Sequence, residues 1–154
     1  MLTGAEGWPG DNDFFDGVSQ ALTEARLPHD ALLIRIIPHE ASAFSATTKQ
    51  LLEMPDPPSG FIARGQPLAD MIAQAAAESG RKTPQDIDIV FQDNATSQVE
   101  QSPYVHVQPK IRFEDAAVLI GKMLQTMSEN RPLEEERVVL QVELRGPGQT
   151  GEKR

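Results

Sequence analysis

The chain has no cysteine among its 154 residues, which removes disulfides, thiolate metal sites and a cysteine nucleophile. It is also poor in rings, with one tryptophan, one tyrosine and three histidines. No apolar run approaches the ~18 residues of a membrane span. Met1 to Asp16 lacks the basic start of a secretory signal. Positive charge is scarce too: 14 Lys and Arg against 23 Asp and Glu give a net charge of −9. Lys and Arg occur at most as pairs, such as Arg81-Lys82, so the basic footprint of a nucleic-acid binder is missing. These absences lead us to expect a cytoplasmic chain that binds neither nucleic acid nor membrane. A protein partner or a homo-oligomer is expected instead, with the acidity offering a face for a basic partner.

What is present is one supersecondary unit that recurs: an amphipathic helix, a Pro-bearing loop and a β-rich run. The copies begin at Phe14, Leu68 and Phe113, and their strands near Leu32, Ile87 and Val138. In the first helix Phe14, Phe15, Val18, Leu22 and Ala25 share a face. In the second, Leu68, Met71, Ile72, Ala75 and Ala76 form the buried stripe, and Ser79-Gly80 stops it. In the third, Phe113, Ala116, Ala117, Ile120, Leu124 and Met127 lie on one side and Val118, Leu119 and Met123 widen it. That breadth predicts the most buried helix of the chain.

Leu32 to Ile37 reads as a largely buried strand bounded by Pro38. Ile87, Ile89 and Phe91 alternate with Asp88 and Gln92, and Val138, Leu140, Val142 and Leu144 with Gln141 and Glu143, as on half-buried strands. Tyr104 to Val107 adds a short strand. The fold class expected is α/β or α+β, three helices packed on a roughly four-stranded mixed sheet in a single domain. Residues 1–13 would be an irregular lead-in, 14–145 the domain, 39–66 a long connector with a short helix near Thr47–Met54, and 146–154 a flexible tail.

Signatures of chemistry are few. Gly146-Pro147-Gly148-Gln149-Thr150-Gly151 matches G-x-G-x-x-G, but three residues follow it and no helix can open there to hold a pyrophosphate. His29, His39 and His106 are too scattered for a metal site, so neither metal nor cofactor is expected. No Gly-x-Ser-x-Gly elbow or Ser-His-Asp spacing is present. If the chain is a small enzyme, the catalytic candidates are His39, Glu40, His106 and Lys110, near strand ends. If it is an interaction domain, the outer face carrying Asp88, Val90, Gln92, Val139, Gln141 and Glu143 is the docking candidate. An acidic toxin-neutralising or chaperone-type binder has the same features with a basic partner.

Residues Leu68 to Gln92, with Ala75-Ala76-Ala77-Glu78-Ser79-Gly80 leading into Thr83-Pro84-Gln85-Asp86-Ile87-Asp88-Ile89-Val90, resemble the C-terminal half of ketosynthases and their chain-length-factor partners. Val107-Gln108-Pro109-Lys110, the helix from Phe113, and Val138 to Gly146 are similar to elements that follow in that thiolase-like fold. The resemblance covers Leu68 to Gly148 and implies an accessory subunit in acyl or polyketide chain assembly. The family's cysteine and its histidine have no counterpart, since Asp93-Asn94-Ala95-Thr96 occupies the histidine region. The implied role is non-catalytic pairing with another chain. A tautomerase-like β-α-β pattern over Tyr104 to Leu144 is the lesser resemblance, without that family's N-terminal proline.

Overall fold

The helix from Gln66 to Glu78 begins where Gly65 and Pro67 set the backbone and ends where glycine can turn left-handed. At its end Arg81 N–H reaches the Ala76 carbonyl at 2.9 Å and Gly80 N–H the Ala77 carbonyl at 3.0 Å, with Gly80 at φ 75°. This is a Schellman closure, in which a residue at positive φ lets the last carbonyls find donors. The same closure ends two other helices at costlier residues, Arg26 (φ 55°) and Asn130 (φ 52°). The computed structural model describes residues 2–4, 9–27, 33–37, 40–92, 102–133 and 138–147.

In chain order the elements are β1 (Leu2–Gly4), α1 (Pro9–Glu24), β2 (Arg35–Ile37), α2 (Ala41–Leu52), β3 (Gly60–Ala63), α3 (Gln66–Glu78), β4 (Asp88–Gln92), β5 (Val105–Pro109), α4 (Phe113–Ser128) and β6 (Val142–Arg145). The α/β class with a mixed sheet holds. The described residues contain four helices: the short helix expected near Thr47–Met54 is the longer α2, which starts at Ala41, and β3 follows it in the stretch expected to be a connector. The lead-in is likewise structured in part, with β1 at Leu2–Gly4 and α1 starting at Pro9. The chain divides into two units, residues 1–90 and 91–154.

In the first unit the strand order is β2-β1-β3-β4. β1 runs parallel to both neighbours, with Thr3 opposite Ile36 and Leu2 opposite Ala63. The core sits between this sheet and the α2–α3 pair. Phe44, Thr48, Leu51 and Leu52 from α2 are buried, as are Leu68, Ala69, Ile72, Ala75 and Ala76 from α3. The small alanines let the two helices approach, and Lys49 of α2 closes the pair on Glu78 of α3 at 2.7 Å. Through Ile87 and β4 the expected alternation holds: Ile87, Ile89 and Phe91 are buried, and Asp88 faces out. At the sheet edge β2 buries Ile37 but leaves Ile36 64 % exposed, so the run is not buried on both faces as expected.

The second unit opens with the last residues of β4 and continues as the antiparallel β5–β6 hairpin, with Val107 opposite Leu144 and Gln108 opposite Glu143. Two expectations fail here. No residue of α4 whose side chain is described is buried, although it was predicted to be the deepest helix. The last strand is also shorter than expected and inverted: Val142 and Leu144 are exposed while Glu143 and Arg145 are half-buried. The apolar side of the hairpin meets no second layer among the described residues, and the polar side is occupied by its own hydrogen bonds.

Candidate functional site

The order β2-β1-β3 places successive connections on opposite sides of β1. The chain leaves β1, forms α1 and returns at β2 on one flank, then forms α2 and returns at β3 on the other. Where parallel strands diverge in this way, a crevice opens outside their carboxyl ends, and ligands of open α/β sheets bind there. In this chain the strand order puts that switch point between β1 and β3.

The segment after β3 is built for that position. Arg64 follows Ala63 directly, and Gly65 then adopts φ 144°, ψ 161°, a conformation open essentially to glycine alone. Gly65 caps α3 without a side chain, so the first N–H groups of the helix receive no side-chain acceptor. The Arg64 guanidinium carbon sits 4.9 Å from the centroid of the Phe14 ring, which comes from α1, the helix that follows β1. A planar cation on an aromatic face and a bare helix start therefore meet at the carboxyl ends of the two diverging strands. Such a site offers hydrogen-bond donors and a flat surface, and no nucleophile–base pair stands there among the described residues.

The sequence candidates are divided between the two units. His39 lies outside the described residues. Glu40 is exposed and immediately precedes α2, beyond the carboxyl end of β2 in the first unit. His106 is buried in the second unit, its ring stacked on Phe91 at 5.4 Å and 20°, and its Nδ1 has no hydrogen-bond partner among the described residues. Lys110 is exposed just after β5, its N–H donating to the Gln141 carbonyl. Among the described residues no group of three or more His, Asp or Glu side chains can hold a metal ion.

Of the docking candidates, Asp88 is exposed and Val90 half-buried in the first unit. In the second unit Gln92 is half-buried, Val139 and Gln141 are exposed, and Glu143 is half-buried. Glu143 accepts from Arg145 at 2.8 Å and Gln108 at 3.3 Å, and these two bonds hold its carboxyl below the usual carboxylate range. That carboxylate is committed within the hairpin.

The second unit also contains a cavity of about 540 Å³, bounded by Leu119, Lys122, Met123 and Thr126 of α4 and by the segment from Arg131 to Leu133 with Val138. Its two cations and open mouth make it a groove along one side of α4. The site after β3 was missed from sequence because residues 39–66 read as a connector. The signal lay in Phe61-Ile62-Ala63-Arg64-Gly65, an apolar run broken by glycine just ahead of a helix-starting proline.

The sequence matches the family described as a periplasmic binding protein-like domain over residues 1–146. No curated protein matches the chain. Solved structures do. A regulatory protein of the LacI family from Chloroflexus aggregans is 24% identical, with a TM-score of 0.78 over 96% of this chain and 54% of that one. The transcription regulator CcpA of Lactococcus lactis is 19% identical, with a TM-score of 0.76 over 97% and 54%. A LacI family transcriptional regulator from Enterococcus faecium with bound ribose is 23% identical, with a TM-score of 0.69 over 92% and 53%. The chain thus spans about half the length of each. These likenesses overturn the ketosynthase reading, and with it the thiolase-like fold and the accessory role in acyl-chain assembly. The phrase that carried that reading, a helix ending in glycine followed by a proline and a strand, is what any α-to-β connection in a layered sheet needs. The match across nearly its whole length makes this chain a member of the periplasmic binding protein-like domain family.

Proposed function

We propose that the chain is the effector-binding portion of a transcription regulator of the LacI type, and that it senses a small polyhydroxylated molecule at the carboxyl ends of β1 and β3. One observation carries the reading. The crevice expected of a diverging parallel sheet coincides with the Arg64–Gly65 turn and Phe14, in a chain whose family match runs through both. Arg64 supplies donors to hydroxyl oxygens, the bare start of α3 supplies more, and Phe14 offers a face for the C–H side of a sugar ring. Sugar is the ligand class favoured because one structural neighbour is described with bound ribose and another with cellobiose.

On this reading DNA is contacted by a part of the regulator other than these residues, in keeping with the net charge of −9, and the address is cytoplasmic. Calorimetry against a panel of pentoses, hexoses and disaccharides tests the proposal. We expect saturable binding by at least one sugar, abolished by Arg64→Ala with the circular dichroism unchanged. Binding that survives Arg64→Ala, or a full panel without heat, refutes the assignment of the site.

A further inference from the structure

The ring of Phe14 already has a neighbour where a ligand would lie. It is half-buried on α1, and the Arg64 guanidinium carbon stands over it, 4.9 Å from the centroid. Each stacked layer needs about 3.5–4.0 Å to its neighbour, so a sugar laid between ring and guanidinium requires roughly 7–8 Å between them. The observed distance falls short of that. Sugar and guanidinium are therefore alternative occupants of one ring face. Phe14 belongs to the helix after β1 and Arg64 directly follows β3, so their contact spans the switch point between those strands. The guanidinium reaches the ring from the end of β3, and the face it covers is the one on the crevice side.

We infer that the Arg64 side chain is a displaceable cover on Phe14, and that the site consequently takes cyclic sugars in preference to open-chain polyols. The inference rests on the sugar-binding reading above and goes beyond it in naming what the ligand must carry. A cation over a partly exposed ring is held weakly, and breaking that contact lowers a ligand's affinity by about two- to fivefold. A cyclic sugar offsets the loss. Its C–H side replaces the guanidinium on the aromatic face, and its hydroxyl oxygens accept from the displaced N–H groups. An open-chain polyol brings the same hydroxyls without a rigid C–H side, and each of its free torsions must be fixed on binding. It has nothing flat to set on the ring. The backbone need not move, because Arg64 turns about its own side-chain bonds.

The test follows the Arg64 Nε–H signal by nuclear magnetic resonance in the whole chain labelled with nitrogen-15 arginine. The signal is identified by its loss in Arg64→Lys. In the ligand-free chain we expect the ring to hold it upfield of its position in Phe14→Leu. D-ribose, D-glucose and D-galactose are then titrated, each beside its own alditol, with calorimetry in parallel. A sugar that binds should move the Arg64 signal downfield, and its alditol should bind at least about tenfold more weakly. Heat from a sugar with the Arg64 signal unmoved overturns the cover and leaves the sugar site standing. An alditol that binds as tightly as its sugar overturns the preference, and a ligand-free signal that matches Phe14→Leu overturns the cover at the outset. No heat from any of the three sugars overturns the inference, and no heat from the full panel overturns the sugar-binding reading beneath it as well.

Discussion

The imidazole of His106 lies flat against the ring of Phe91, centroids 5.4 Å apart and planes 20° apart, with Tyr104 meeting Phe91 edge-on at 6.4 Å. Three rings from the end of β4 and the start of β5 thus make the buried centre of the second unit. The histidine contributes as an aromatic body, because its Nδ1 finds no partner among the described residues. Removing the ring and removing the nitrogen should therefore have opposite effects. His106→Ala leaves a cavity and should cost about 2–4 kcal/mol. His106→Phe keeps the stack and deletes an unsatisfied polar atom, and should stabilise by about 1 kcal/mol. Urea unfolding of the two variants checks both signs.

Acid should weaken the α2–α3 pair. Hydrogen bonding from Lys49, then from Gln74, holds the Glu78 carboxyl below its usual value. A carboxylate depressed in the folded state contributes stability above its unfolded pKa, and that contribution disappears as pH falls through the folded value. Glu78→Gln should leave stability almost unchanged in the acid limit, lower it near neutrality and flatten the slope between. Thermal melts from pH 7 down to pH 3 read the difference.

Gly65 at φ 144° and ψ 161° holds the turn between β3 and α3. A methyl group there meets only ordinary contact, 3.8 Å from Cδ of Pro67, so the obstacle is the backbone and not crowding. Gly65→Ala should cost about 1–3 kcal/mol. If the turn shapes the sugar site, it should also weaken sugar binding more than an equally destabilising change in the core, such as Ile72→Val. Paired melting and calorimetry separate the two effects.

Arg26 closes α1 in a left-handed conformation, with Leu27 N–H on the Leu22 carbonyl at 2.9 Å. Glycine takes this geometry without Cβ strain. Arg26→Gly should therefore stabilise by about 0.5–1 kcal/mol, less than the full left-handed penalty because glycine also loosens the unfolded chain. A rise in the melting temperature would confirm it.

Where a pattern is enforced by neighbours inside this chain, it was legible. Ile87, Ile89 and Phe91 alternate and are buried; Leu68, Ile72, Ala75 and Ala76 face inward as their spacing requires. α2 was half-hidden because Ala41 to Thr48 is rich in small and hydroxylated residues. Its buried set, Phe44, Thr48, Leu51 and Leu52, includes a threonine that no hydropathy pattern marks. The hairpin and α4 show the limit of such reading. Apolar periodicity says that a face will be covered and is silent about what covers it, so Ile120 and Leu144 were assigned to an interior that the described residues do not supply. The crevice at the strand ends was invisible for another reason: it depends on strand order, and no local pattern encodes which strand lies beside β1.

The nakedness of α4 has a consequence for its own order. A helix of 16 residues is marginal in water without tertiary support, and none of the described side chains of this one is fully buried. Its amide protons should exchange within a small fraction of the time needed for those of α3, and they should slow together when any polypeptide covers the exposed Ile120, Leu124 and Met127. Exchange at Ile120 and Leu124 would then serve as a gauge of docking, whichever molecule arrives.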